Sequence, residues 1–313
     1  MVPTTAASPS ARKTAIPPGE LLATHLAARE MSQAECARRC GRSAKLISEI
    51  VTGKAPIQPE TALQLERVLG LPSNVWLGIE SDYRLLLARR ADAERAEAHR
   101  DWLTTFPVGE LIERGMVERR GTVAETTDQL LAFFGVGSAR AWRDWYGSVR
   151  VAIRKTPGVD IDDIALATWL RLGEVGADDI LCGEYDGVGF RKALIRIAAL
   201  IRRRDAKARK LARELCQVAG VALVEVEPLA NAAIAGAARW LTPRKALIQL
   251  GRADGEAHRF WLTFFHQAAH LLLHSKKVVF VDPERPDEQP DNGDADDIES
   301  QADEWAAAFL SSD

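Results

Sequence analysis

The chain has 313 residues, 47% hydrophobic and 27% charged, which is enough apolar material for packed cores and excludes a globally disordered polymer. No apolar run approaches the roughly 18 residues that span a bilayer, and residues 1–16 lack the apolar stretch of a secretory signal. The four cysteines contain no CxxC pair, which argues against a disulfide scaffold or a cysteine zinc ribbon and for a reducing, cytoplasmic setting.

The net charge of −3 conceals an asymmetry: residues 282–313 carry twelve Asp/Glu and one Arg, so the rest of the chain is basic. A basic body with an acidic end is a weak pointer to nucleic acid. Residues 1–16 read as a disordered leader. Residues 17–90 read as a run of short helices. Within them Ser32, followed three residues later by Glu35, has the spacing of a capping box that opens a helix. Ala34 and Ala37 are small enough to sit against a crossing helix. Gly41 tolerates the positive φ of a helix C-terminus, and Ser43 is the next N-cap. Ile47 and Ile50 share a face of the helix that Ser43 opens, Gly53 ends it, and Pro59-Glu60 starts another. Two short helices joined by a Gly-containing turn form a helix-turn-helix, whose second helix lies in the DNA major groove. Cys36 and Cys40 are four apart with no further ligand nearby, and read as small buried hydrophobes.

The segments "PPGELL", "MSQAECARRCGRS", "LISEIVTGKAPIQPETALQLERVLG" and "WLGIESDY" resemble the helix-turn-helix of the HigA family, antitoxin repressors of the lambda-repressor-like (Xre) class. The family usually has Leu where Cys36 stands and an apolar residue where Arg42 stands. The resemblance implies sequence-specific binding of palindromic double-stranded operator DNA by a homodimer, transcriptional repression, and a toxin or regulatory protein as a further partner. By position, Gln33 touches a phosphate, Ser43, Ala44, Lys45 and Ser48 line the exposed side of the recognition helix, and Thr52 and Lys54 meet the DNA backbone at its end. Arg42, with Arg38 and Arg39, adds positive charge. Any one of these charges reads equally well as an ordinary solvated side chain. Residues 29–54 together hold six Lys/Arg against three Glu, which favours the DNA reading for the group.

Residues 91–184 are mostly helical, with Trp142, Trp145 and Trp169 as core anchors and no recognisable chemistry. The turn residues of 183–189 mark a boundary. Beyond it, residues 191–213 hold ten Lys/Arg and one Asp on amphipathic helices with a solvated basic face. "GVALVEV" and "KALIQL" have strand character. "FWLTFFHQAAHLLLHS" places His266, His270 and His274 at four-residue steps on one helical face, and two such histidines can share one zinc ion. In the metallopeptidase motif H-E-x-x-H the Glu is the general base; here that position is Gln267, an amide that accepts no proton. Alone, an HxxxH pair on an apolar helix reads as two ordinary histidines. "IESQADEWAAAFL" adds Glu299 at the start of a helix as a third ligand. The stretch 282–297, rich in Pro and Asp, reads as a flexible acidic loop.

The segments "ALIRIAALI", "ELCQVAGVALVEVEPL", "GAARWLTPRKALIQL", "FFHQAAHLLLH" and "ESQADEWAAAFL" resemble the ImmA/IrrE family of zinc metallopeptidase-like domains. The resemblance implies that His266, His270 and Glu299 bind zinc and that the catalytic Glu falls on Gln267. The chain stops three residues after Leu310, where members of that family commonly continue. His274 reads as a packing or capping residue and His258 as a surface one. The expected fold is mainly α with a C-terminal α+β domain: leader 1–16, helix-turn-helix 17–90, helical middle 91–184 and zincin-like domain 185–313. The expected function is that of a DNA-binding repressor, the antitoxin or regulator of a toxin–antitoxin-like operon, with an inactive or sensory peptidase-like domain. The alternative is a zinc metalloendopeptidase that cleaves itself or a partner and is active when residue 267 is Glu.

Overall fold

The computed structural model describes residues 16–97, 100–119, 121–155, 161–230, 232–251, 257–283 and 297–311. The expected leader, apart from Ile16, and residues 284–296 of the expected acidic loop lie outside the described residues. The chain divides into two compact units, Met1–Ala98 and His99–Asp313.

The first unit contains α1 (Pro18–Ala27), α2 (Gln33–Cys40), α3 (Ala44–Val51), α4 (Pro59–Leu69) and α5 (Ser73–Glu97). The local signals act as the sequence dictates. Ser32 Oγ accepts from the Glu35 N–H at 3.1 Å and opens α2. The reciprocal half of the capping box is absent, because the Glu35 carboxylate turns instead to Arg38 and Arg39. Gly41 closes α2 in the left-handed region at φ 63°, and Ser43 Oγ then accepts from the Leu46 N–H at 3.1 Å to open α3. Ile47 and Ile50 enter a core shared with Leu22, Leu65 and Trp76. Cys36 and Cys40 lie in that core with sulfurs 3.9 Å apart, and burial pushes the Cys36 thiol up to about 12. Ala37 is buried as expected, whereas Ala34 is exposed: it lies on the outer face of α2. At Gly19 an added Cβ would sit 2.3 Å from the Ile50 carbonyl oxygen, so glycine lets α1 cross the end of α3 at backbone contact.

The second unit contains α6 (Arg100–Leu103), α7 (Val108–Glu113), α8 (Val123–Phe134), α9 (Ala139–Ala152), β1 (Ile153–Lys155), α10 (Asp163–Asp178), α11 (Gly187–Arg202) and α12 (Ala208–Val218). It continues with β2 (Val221–Glu225), β3 (Ile234–Thr242), β4 (Lys245–Leu250), α13 (Ala257–Leu273), β5 (Val279–Pro283) and α14 (Asp297–Ser311). The strands form a mixed sheet in the order β1-β5-β3-β4-β2. The outer pairs β1–β5 and β2–β4 are parallel, and β3 is antiparallel to both neighbours.

Residues 91–184 and 185–313 do not pack as separate bodies. Trp142, Leu166 and Trp169 share a core with Ile234, Ala237 and Val281 of β3 and β5, and β1 of the middle region pairs with β5. Trp169 is fully buried and its indole N–H donates to the Val226 carbonyl at 3.0 Å. Trp145, expected in the core, is 37% exposed. The buried stripe of α9 runs through Trp142 and Tyr146, one helical turn apart, and 145 falls beside it. On the other side of the sheet, Phe260, Phe264, Phe265 and Ala268 of α13 pack with α11 and α12, and α14 joins this cluster through Ala306 and Phe309.

Candidate metal centre and nucleic-acid interface

Three elements converge below α13. The i, i+4 spacing brings the Nε2 atoms of His266 and His270 to 2.9 Å. From β5, Asp282 Oδ2 stands 3.1 Å from His266 Nε2. From the first turn of α14, Glu299 Oε2 stands 3.3 Å from His266 Nε2 and 3.7 Å from His270 Nε2. All four donor atoms lie within 4.8 Å of one another, and both histidines and Glu299 are buried. The structure thus brings together the three ligand residues expected from sequence and adds Asp282.

The outer faces of the two imidazoles are fixed. His266 Nδ1 meets Asp303 Oδ1 at 2.7 Å, and His270 Nδ1 meets His274 Nδ1 at 2.9 Å. The His270 ring also stacks on Phe280, with centroids 4.1 Å apart. Both Nε2 atoms therefore point inward, the arrangement in which a metal-binding histidine is oriented by its other nitrogen. His274 packs against Phe280 and His270, and His258 is exposed.

Burial works against charge on His266, but Asp282, Asp303 and Glu299 outweigh it and push the imidazole up to about 12. Burial raises Glu299, yet hydrogen bonds from His266 and His270 hold it well below the usual carboxylate range. The surrounding carboxylates favour positive charge at this position. Two imidazole nitrogens and two carboxylates form a donor set that fits zinc.

Gln267 is fully buried beside this cluster. Its Nε2 donates to Asp282 Oδ2, and its Oε1 finds no hydrogen-bond partner among the described residues. Gly236 of β3 lies in register with Asp282 and close to α13; an added Cβ there would sit 3.1 Å from Gln267 Cγ. Sequence reasoning placed Asp282 at the edge of a solvated acidic loop. The usable signal was period two in "VFVDP": Phe280 and Asp282 share one face of β5, and that face meets His270 and His266.

In the first unit, Gln33, Ser43, Ala44, Lys45, Ser48, Thr52 and Lys54 are all exposed. Lys45 stands 84% exposed, 3.8 Å from Glu49. Thr52 Oγ1 donates back to the Ser48 carbonyl at 2.9 Å. Arg42 is not fully exposed: it is half-buried and its Nε donates to Gln64 Oε1 at 2.6 Å, tying α4 to the turn before α3.

No protein-family model matches the chain, and no curated protein does. The N-terminal quarter resembles solved helix-turn-helix structures of HigA-family antitoxins. An addiction-module antidote protein of the HigA family from Coxiella burnetii is 27% identical, over 27% of this chain and 92% of that one, with a TM-score of 0.25. The Pseudomonas aeruginosa antitoxin HigA, solved with the higBA promoter, is 29% identical over 27% and 94%, with a TM-score of 0.26. A Pseudomonas aeruginosa protein solved with its 28-bp operator DNA is 28% identical over 28% and 98%, with a TM-score of 0.26. Those matches cover about a quarter of this chain, so the metal centre is read from its own geometry. Among the described residues no helix is long and apolar enough to cross a membrane.

Proposed function

We propose that the chain is a cytoplasmic, DNA-binding transcriptional repressor that acts as a homodimer on a palindromic operator. Its second unit holds a metal ion without hydrolysing peptides. The observation that carries this reading is the division of α3. Ile47 and Ile50 are 0% and 1% exposed, while Ser43, Ala44, Lys45 and Ser48 on the other side are exposed. A short helix that commits one face to the core and offers small polar and cationic residues at its N-terminal end is shaped for the major groove. The HigA likeness adds an antitoxin role and a toxin partner to this proposal.

Zinc held by His266, His270 and Glu299 would supply a Lewis acid. Hydrolysis also needs a proton acceptor beside the water, and the Gln267 amide is none. The HxxxH pair and Glu299 favour the second reading, a zinc endopeptidase; Gln267 weighs against it.

Fluorescence anisotropy of the full chain on the promoter DNA upstream of its own gene tests the proposal. Lys45→Ala should weaken binding and reduce the slope of log affinity against log salt by about 1. Lys54→Ala should do the same. Unchanged affinity and slope in both variants would sink the assignment of this face.

A further inference from the structure

Hydrolytic zinc sites keep three protein ligands and leave the fourth position to water, whereas sites with four protein ligands are closed. Here the fourth donor, Asp282, arrives with its own support. Its strand is pinned twice: Asp282 is in register with Gly236, and Phe280, two residues earlier, stacks on His270. One oxygen, Oδ2, faces both His266 Nε2 and the amide of Gln267.

The orientation of that amide follows from chemistry. Turned over, Gln267 Oε1 would meet Asp282 Oδ2, acceptor against acceptor. Nε2 therefore faces the carboxylate, and Oε1 is the atom left buried without a partner among the described residues. A carboxylate at position 267 offers no N–H. It would set two anionic oxygens at hydrogen-bond distance inside a buried site, where like charges repel strongly. Gln267 thus does more than withhold a base: it admits Asp282 to the cluster.

We propose that Asp282 is the fourth metal ligand of this centre and that Gln267 is the positioning residue that holds it there, closing the site to water. This rests on the metal reading of the second unit given above. A closed centre serves as a structural or sensory metal site, with no open position for a substrate carbonyl or an attacking water.

The test uses the full chain loaded with cobalt(II), whose visible absorption is strong in four-coordinate sites and weak in higher coordination. Azide serves as the added ligand. The wild-type chain should bind about one cobalt and give a strong spectrum that azide leaves unchanged. Asp282→Ala should open the fourth position and make the spectrum respond to azide. Gln267→Met fills similar space without an N–H; it should also make the spectrum azide-sensitive and lower cobalt affinity about 10–100-fold. The double variant should go no further than Asp282→Ala, because Gln267 acts through Asp282. A purely structural Gln267 would lower the melting temperature without letting azide in, and that result overturns the proposal. So does a wild-type spectrum that responds to azide at full cobalt loading. If Gln267→Met fails to fold, the wild-type chain and Asp282→Ala decide alone. Absence of cobalt from the wild-type chain overturns the metal reading itself, and this inference with it.

Discussion

The helix proposed to meet DNA, α3, and the helix proposed to hold a metal, α13, use the same geometry in opposite ways. On α3 the apolar residues are buried and the candidate functional residues are exposed. On α13 the functional groups are themselves inside: Gln267 is 0% and His270 1% exposed. Solvated side chains such as Lys45 contribute little to stability, so recognition on α3 can change without cost to the fold. A buried polar group costs free energy unless it is paired, so on α13 the chemistry and the stability rest on the same atoms.

The sharpest way to break this comparison is to damage the core of the second unit. Trp169 is a fully buried link between α10 and the sheet region: its indole donates to Val226 and its carbonyl accepts from Gln249 Nε2 at 2.7 Å. Trp169→Ala should destabilise this unit by about 3–5 kcal/mol. Thermal unfolding followed by calorimetry should show the loss in one transition only. Operator binding, measured below that transition, should survive. A loss shared by both transitions would mean that the two cores are not energetically separate.

Metal gives the next largest effect. Zinc at about a hundredfold excess over its dissociation constant should stabilise the second unit by about 2.7 kcal/mol, if the unfolded chain does not bind it. The transition of the first unit should not move. A chelator should reverse the shift. Stabilisation of both transitions by zinc would erase the distinction between them.

How much of each region was legible follows from the same contrast. The helix pair is written in local signals: Ser32, Gly41 and Ser43 each act within four residues of where they stand, so spacing alone places them. In α13 the i, i+4 histidines and Gln267 were equally local, and Glu299 was offered by the start of a later helix before the resemblance to a family gave it the same role. Asp282 was not legible, because its role depends on a strand pairing with β3 and on packing against α13. β3 itself, "IAGAARWLT", is rich in Ala and Gly and carries little strand preference; it is a strand because β4 and β5 flank it. The boundary expected near 185 falls within a shared core, and for a related reason. β1 is three residues long and its partner β5 is remote in sequence, so local signals did not show that the middle helices and the sheet share one core. Arg42 read only as added positive charge because its partner, Gln64, is twenty-two residues away on another helix.

The smallest predicted effect tests the comparison where it is weakest. Ser43, the N-cap of α3, is a candidate DNA contact whose side chain also holds the helix, since its Oγ accepts the Leu46 N–H. Ser43→Ala should lower the stability of the first unit by about 1 kcal/mol, the usual worth of an N-cap. Lys45→Ala should leave that transition unmoved. Ser43→Asp separates the two roles, because Asp caps as well as Ser but places a negative charge against the phosphates. It should restore the melting temperature lost in Ser43→Ala and bind operator more weakly than either. If Ser43→Asp instead binds as tightly as the wild-type chain, Ser43 is a cap alone, and recognition by α3 starts further along the helix at Lys45 and Ser48.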